Sequence, residues 1–357
     1  ILNVFCQHGA PASILADAHP HIGTDRLPRV IENMRNTILA CGGEVHFQTK
    51  MTSLLFEGNK VVGVEAVDNR DATGIKRTFR GPVILATGHS ARDVYRYLAR
   101  TGIEMEAKGI AVGVRLEHPS HLIDQIQYHN KNGKGKYLPT AEYSFVTQVQ
   151  GRGVYSFCMC PGGTVVAAAS EMGRLVTNGM SNYRRNSGVA NSALLVQVSP
   201  ADWGGSVLGG IAFQRAMEER AFRAGGGDYR APVQSVGDFL TGKTGARDFA
   251  VTPTYEPGVR TVNLRMVLPE MCTEPLARAL RFWEERVPGF GAADVPMTGV
   301  ESRSSAPCRI VRDGATMESV SAAGLYPIGE GAGYAGGIMS AALDGLKAAL
   351  AFLDKIQ

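Results

Sequence analysis

Five glycines fall within nine residues at Gly329-Glu330-Gly331-Ala332-Gly333-Tyr334-Ala335-Gly336-Gly337. The apolar run before them, Gly324–Gly329, reads as a short strand, and Ile338–Leu353 after them reads as a helix rich in small residues. The first N–H groups of a helix have no partner inside it and favour anions and hydrogen-bond acceptors. Glycine removes the Cβ that would hold a ligand away from the backbone. The chemistry implied is capture of a polar ligand along the main chain; the plainer alternative is a tight packing turn. Gly331–Gly336 formally satisfies G-x-G-x-x-G. Only 21 residues follow, which leaves no room for the next strand and its ribose-binding acid, so this is not the primary pyrophosphate loop.

Cys158 and Cys160, one residue apart, are the other conspicuous pair. On a strand this spacing puts both on one face. A redox dithiol is one reading, and two packed thiols beside a turn is the favoured one. The six cysteines show no zinc-ligand or disulfide spacing, which points to no metal and to reduced thiols in the cytoplasm.

The elements that must position these residues follow from periodicity. Thr24 reads as an N-cap for a helix through Leu27, Val30, Ile31, Met34, Ile38 and Leu39, ended by Gly42-Gly43. Short strands are expected at Glu44–Gln48, Thr52–Phe56, Val61–Val67 and Lys76–Phe79, with a turn at Gly58-Asn59 and a loop over Asp68–Gly74. Pro82–Ala86 is a continuous apolar strand, expected to be fully buried in a parallel sheet and followed by a helix over Ala91–Arg100. Val154–Met159 and Thr164–Ala169 flank Pro161-Gly162-Gly163 and read as a hairpin. Gln214–Phe222 and Pro275–Val287 read as helices. The return of the early texture near the C-terminus suggests one domain interrupted by another. The expected fold is α/β: a Rossmann-like domain in two pieces, 1–107 and 299–357, with a mixed α+β domain inserted at 108–298.

The bulk numbers suit this. The 357 residues allow two or three domains, with 44% hydrophobic and 20% charged residues. A net charge of +4 is too mild to argue for nucleic acid. No apolar run reaches membrane-spanning length. The chain opens on Ile1, with no signal-peptide pattern over Ile1–His19, and reads as starting partway through a longer protein.

The segment Gly324–Ala342 resembles the C-terminal flavin motif of a family of bacterial FAD-dependent dehydrogenases, distant relatives of glutathione reductase. Further segments match in the same order. Pro20-His21-Ile22-Gly23-Thr24-Asp25 resembles the motif before the first helix here, and Val83–Asp93 the Ala-Thr-Gly strand end. Gly151–Gly163 resembles the middle-domain signature, and Glu301-Ser302-Arg303-Ser304-Ser305-Ala306-Pro307 the segment before the return to the FAD domain. The resemblance covers nearly the whole chain. It departs at the start: the family's glycine-rich βαβ unit, which cradles the FAD pyrophosphate, is not in this sequence.

The resemblance implies FAD as cofactor and hydride transfer between an organic substrate and flavin. It places Thr87 and Gly88 where the chain passes the cofactor. Gly329, Glu330 and Gly331 lie near its phosphates and ribityl chain, with Glu330 bonding a hydroxyl. Gly336, Gly337 and Ile338 present N–H groups to the pyrimidine end of the flavin, and the positive helix terminus stabilises charge on the reduced ring. Met51 is expected to offer backbone to the adenine, or else to be a core methionine. His21, His89, Arg303 and Arg309 are candidates for the substrate side, since histidine can take a proton and arginine can clamp a carboxylate. Loop hydrogen bonds and surface ion pairs are their plainer readings. Tyr334 covers the flavin, lines the substrate cavity or simply packs. No second dinucleotide fingerprint marks NAD(P), so the electron partner is open, as is the oligomeric state. Two alternatives stand beside this reading. One is a flavin-dependent RNA-modifying protein using Lys131, Lys134, Lys136, Arg184 and Arg185. The other is a non-catalytic or split flavoprotein fragment.

Overall fold

The computed structural model describes residues 1–70, 74–245 and 248–356. The chain starts with α1 (Leu2–Gln7), a 3-10 turn at Ala12–Leu15 and α2 (Leu27–Ala40). Phe5, Ile14 and Val30 pack these together. Pro28 sits in the first turn of α2, where its missing N–H costs nothing. Thr24 does not cap this helix. Its hydroxyl and its N–H both go to the Ser181 carbonyl, at 3.1 and 3.0 Å, so a distant strand outcompetes the local cap.

Strands β1 (Thr49–Glu57), β2 (Lys60–Asp68) and β3 (Lys76–Arg80) form an antiparallel meander turning at Gly58-Asn59. The strand expected at Glu44–Gln48 is absent. Gln48 has φ 56°, a left-handed conformation that breaks extension, and pairing begins at Thr49. Part of the expected loop 68–74 lies outside the described residues. Next come β4 (Val83–Leu85), α3 (Arg92–Arg100) and β5 (Met105–Ala107). Leu85 is buried, but Ile84 is 48% exposed, so β4 is covered on one side only and not on both as expected.

The middle of the chain builds one large sheet. Its elements are β6 (Ile110–Pro119), α4 (Ser120–Tyr128), β7 (Val146–Val149), β8 (Arg152–Cys160), β9 (Gly163–Ala167), β10 (Thr177–Ser181) and β11 (Val189–Val198). Then follow α5 (Gly209–Gly225), β12 (Ala231–Ser235), α6 (Val236–Thr241), β13 (Val259–Thr261), α7 (Glu270–Arg286) and β14 (Pro296–Glu301). The seven-stranded order is β13-β12-β14-β6-β11-β8-β7, antiparallel except for β12 with β13. The expected domain boundary at 298/299 falls inside β14. β8 and β9 do not form the expected hairpin: β8 pairs with β11 and β7, and β9 with β10. Gly162 (φ 53°) turns the chain out of the sheet so tightly that a Cβ there would collide with the Arg185 carbonyl. α7 begins five residues before the expected start, with Pro275 buried inside it.

The two-residue period of the strands sorts the sheet into unlike faces. Ile110, Val112, Val114 and Leu116 of β6 join Leu194, Val196 and Val198 of β11 in the main core, with Leu276 and Leu280 of α7. The opposite face carries Ala111, Ala193 and Leu195, with Tyr155 and Phe157 packed on them. Arg115 shares the register of Ala111 and is wholly buried.

The last segment returns to the first. β15 (Cys308–Ile310) pairs antiparallel with β5, β16 (Leu325–Pro327) pairs parallel with β4, and α8 (Ile338–Ile356) follows. Tyr326 packs with Ala348 beneath α8, while Leu343, Leu346 and Leu350 on the helix remain half-exposed. Among the described residues, no helix is long and apolar enough to cross a membrane.

Buried charge joins these parts. Glu218 of α5, fully buried, accepts from Arg92 at 2.7 and 2.8 Å and from Arg303 at 3.0 Å on both oxygens. Burial works to raise the Glu218 carboxyl, but bonds from the two arginines outweigh it and hold it below its ordinary value. A depressed carboxyl stabilises the fold above its unfolded pKa and loses that effect as pH falls through the folded value. Glu218→Gln leaves two buried guanidiniums short of a partner and should cost about 3–5 kcal/mol near neutrality. In urea unfolding, its deficit against the native chain should shrink as the pH drops below about 4. A deficit under about 1 kcal/mol at pH 7, as for an exposed pair such as Arg278–Glu274, would refute this role.

Candidate functional site

The site begins where β4 and β16 end side by side. Because they run parallel, Thr87-Gly88 and Gly329-Glu330 leave the sheet at the same edge, and the Ile328 N–H still reaches the Leu85 carbonyl at 3.0 Å. The glycines then divide into two kinds. A Cβ on Gly331 would lie 2.7–2.9 Å from the Gly88 backbone, and one on Gly333 would lie 2.7 Å from the Cys308 carbonyl. These two are packing glycines, and the Tyr95 hydroxyl locks the Gly331 carbonyl from below at 2.7 Å. A Cβ on Gly336 or Gly337 would meet nothing within 4 Å. Those two leave the N-terminus of the 19-residue α8 bare, with the Gly336 N–H on the Ser340 hydroxyl at 3.2 Å.

Beside the turn, His89 Nε2 stands 3.4 Å from a Glu330 oxygen. Burial lowers the His89 pKa, and the charges of Arg303, Arg92 and Lys108 lower it further. Burial raises that of Glu330. The imidazole is therefore neutral at pH 7. Arg303 is 5% exposed: Nε and Nη2 grip Glu218, and Nη1 reaches Ser90 at 3.0 Å and also Ser170. Its donors are engaged by internal partners, which places it in the buried network around Glu218.

Against the first residues of α8 lies a cavity of about 380 Å³, walled mainly by apolar side chains such as Phe5, Ile14, Met159 and Met180. It gathers His21 and Gly23 from one motif, Cys158–Pro161 from another, and Ile338 and Met339 from the flavin-like segment. The Cys158–Cys160 wall is not plain strand. The β8–β11 register slips between Asn191 and Ala193, and Cys158 has φ 42°. Arg115 holds this bulge. Its Nη1 donates to the Cys158 carbonyl at 3.0 Å and to Asn191 at 2.9 Å, while Nε and Nη2 clasp Glu301 at 2.7 and 2.9 Å. Burial opposes the Arg115 charge, but Glu301 outweighs it, so the guanidinium stays ionised. All six cysteines are free, and burial raises the Cys160 thiol above its ordinary value despite Arg115. His21 Nε2 lies 2.9 Å from the Asn182 carbonyl, which makes Nε2 the protonated nitrogen and leaves Nδ1 as an acceptor.

The other expected residues sit elsewhere. Met51 pairs with Ala66 in β1 and packs partly buried on the cluster around Leu54, Leu85 and Tyr95, a core methionine. Arg309 pairs across strands with Glu106 at 2.7 Å. The Tyr334 ring lies under Arg312 (3.9 Å) and near Arg309 (5.1 Å), and its hydroxyl accepts from the Arg312 N–H at 3.2 Å. Arg115, Arg92 and Glu218 escaped the sequence reading, because a charged residue at a buried strand or helix position leaves no local signature. Arg185, named above only among the basic residues of the RNA-modifying alternative, lines this cavity. Among the described residues, no cluster of His, Cys, Asp and Glu could hold a metal ion.

Comparison with known proteins bears on this geometry. Residues 109–304 match the family described as "FAD-dependent protein, C-terminal domain-like". The chain belongs to this family of FAD-dependent proteins, and FAD is its cofactor. A protein of Clostridium beijerinckii named only as uncharacterized is 44% identical over 358 residues; the alignment covers 99% of this chain and 66% of that relative's length. An FAD-complexed glycerol-3-phosphate dehydrogenase from Bacillus halodurans is 18% identical, with 49% of this chain and 26% of that one covered. At a TM-score of 0.25 that likeness carries no argument. The residues present fit a flavin: an open, glycine-lined helix terminus beside a mostly apolar cavity, with Glu330 at the shared strand edge.

Two outcomes test this division of roles. Gly331→Ala should destabilise the fold by about 1–3 kcal/mol through its clash with Gly88. Gly336→Ala should leave the melting temperature unchanged, and equal losses from the two would contradict the assignment. In an NMR titration the His89 ring should protonate below the free value of about 6.5; a midpoint at or above that value would contradict the neutral assignment.

Proposed function

We propose that this chain supplies the substrate cap and the flavin-closing turn of an FAD-dependent oxidoreductase, a dehydrogenase acting on a small organic molecule. The cavity between α8 and the Cys158 bulge carries this reading, because it brings three separate motifs to one place beside an open helix terminus. Bound FAD supplies a two-electron acceptor or donor there. The N–H groups of Gly337 and Ile338 would hold the flavin of a bound FAD, and the positive end of α8 would favour negative charge on it. Glu330 accepts from a hydroxyl of the cofactor chain, while Thr87 and Gly88 let the chain pass close. The apolar wall excludes water and orients the substrate carbon. Nδ1 of His21 is the best-placed base to take a substrate proton, with Nε2 fixed by the Asn182 carbonyl. The expected middle part, 108–298, carried to the end of β14 at Glu301, serves as the cap in this reading.

Titrating FAD into the chain, and into the longer protein that its relative represents, tests the proposal through flavin fluorescence. Saturable binding is expected in the longer protein. Gly337→Val should weaken it by about tenfold or more by blocking the helix terminus. His21→Gln should leave FAD affinity intact but slow flavin reduction by about 100-fold. No saturable binding in either protein, or a Gly337→Val variant that binds normally, would overturn the reading.

A further inference from the structure

The cavity that holds the motifs has one permanent charge among its described lining residues, Arg185, and no Asp, Glu or Lys. Arg185 is not a loose surface side chain. Its backbone is left-handed (φ 51°), its N–H donates to the Asn182 side chain at 2.7 Å, and its carbonyl lies hard against Gly162. Its side chain is 19% exposed, and Nη1 stands 2.6 Å from a Glu142 oxygen. Its Nε is buried and has no hydrogen-bond partner. Behind it lies a second, more polar cavity of about 490 Å³, and His21 and Arg185 line both.

Arg185 lines the cavity while its ion-pair partner Glu142 does not, so an acid in the cavity would meet the one permanent charge among the described lining residues. The guanidinium edge matches a planar oxyanion, and the adjacent terminus of α8 (Ile338, Met339) adds positive potential to the same space. The walls offer no second charge, so the complementary ligand has one acid group on an apolar body. Resting on the flavin reading above, we propose that the substrate is a small carboxylic acid: Arg185 anchors its carboxylate, and its apolar body lies between Met159, Met180 and Ile338. Glu142, bonded also by His19 at 2.7 Å, holds the guanidinium in place from the polar side.

Calorimetric titration with hexanoate, hexanamide and hexylamine tests this on the protein with and without FAD. Hexanoate should bind about tenfold or more tightly than hexanamide, and hexylamine should not bind measurably. Arg185→Gln should erase the preference for the acid while leaving FAD affinity unchanged. Arg185→Lys, which keeps the charge and the fold but loses the planar edge, should retain part of it. Met180→Trp, which fills the cavity without altering charge, should abolish binding of both hexanoate and hexanamide. Equal binding of acid and amide, or an acid preference that survives Arg185→Gln, would overturn the proposal. Loss of FAD affinity in Arg185→Gln would also overturn it, making the arginine a flavin contact. An acid preference that persists in a protein that takes up no FAD would instead sink the flavin reading and leave the acid site standing.

Discussion

Glu218 is the knot of this molecule. It has no exposure to water and is gripped by two guanidiniums from distant parts of the chain, Arg92 after the Thr87-Gly88 turn and Arg303 after β14. The Ser302 hydroxyl adds a third donor at 2.7 Å, and Gln214, one turn back on α5, bonds both Arg92 and the Ser302 carbonyl. A buried ion group is not a cheap way to gain stability, since desolvation consumes most of the attraction. Its effect is on geometry: the bonds of Glu218 to Arg92, Arg303 and Ser302 fix α3, α5 and residues 302–303 against one another.

The neighbouring residue extends the same constraint to the other side of the site. Glu301 turns to Arg115, which spends its remaining donors on Asn191, Asn178 and the Cys158 carbonyl. Three consecutive residues, Glu301, Ser302 and Arg303, therefore tie the segment after β4, through Ser90 and Arg92, to the bulge that walls the cavity. Gly179 belongs to this arrangement too, because a Cβ there would lie 2.2 Å from the Arg115 guanidinium. The resulting site is rigid where it is charged and open where a ligand must enter.

That rigidity separates two uses of glycine that look identical in sequence. Gly331 and Gly333 let backbones touch, whereas Gly336 and Gly337 keep the α8 terminus bare. The same arginines that order the site also bias its titratable groups. Arg303 and Arg92 help keep His89 neutral, which leaves the space beside Glu330 without an imidazolium. Among the described residues lining the cavity, Arg185 is the one permanent charge, and the α8 terminus adds positive potential beside it.

The local elements were legible in the sequence because they rest on local physics, whereas the cofactor came from the resemblance of Gly324–Ala342 to a family motif. Amphipathic spacing marks α2 and α3, a glycine-asparagine turn marks the β1–β2 hairpin, and a strand–glycine–helix order marks the α8 terminus. The family match over residues 109–304 agrees with FAD as read from Gly324–Ala342. What failed locally failed for tertiary reasons. Thr24 was drawn to Ser181 and away from its own helix, Gln48 bent where a strand was expected, and Gly162 sent β9 to β10 instead of back to β8. Arg303, a candidate for the substrate side, lies in the buried network, and Arg185, grouped with a basic surface, lines the cavity. Residue type states what a side chain is able to do. Which partner satisfies it depends on groups more than a hundred residues away, and only the folded packing brings those together.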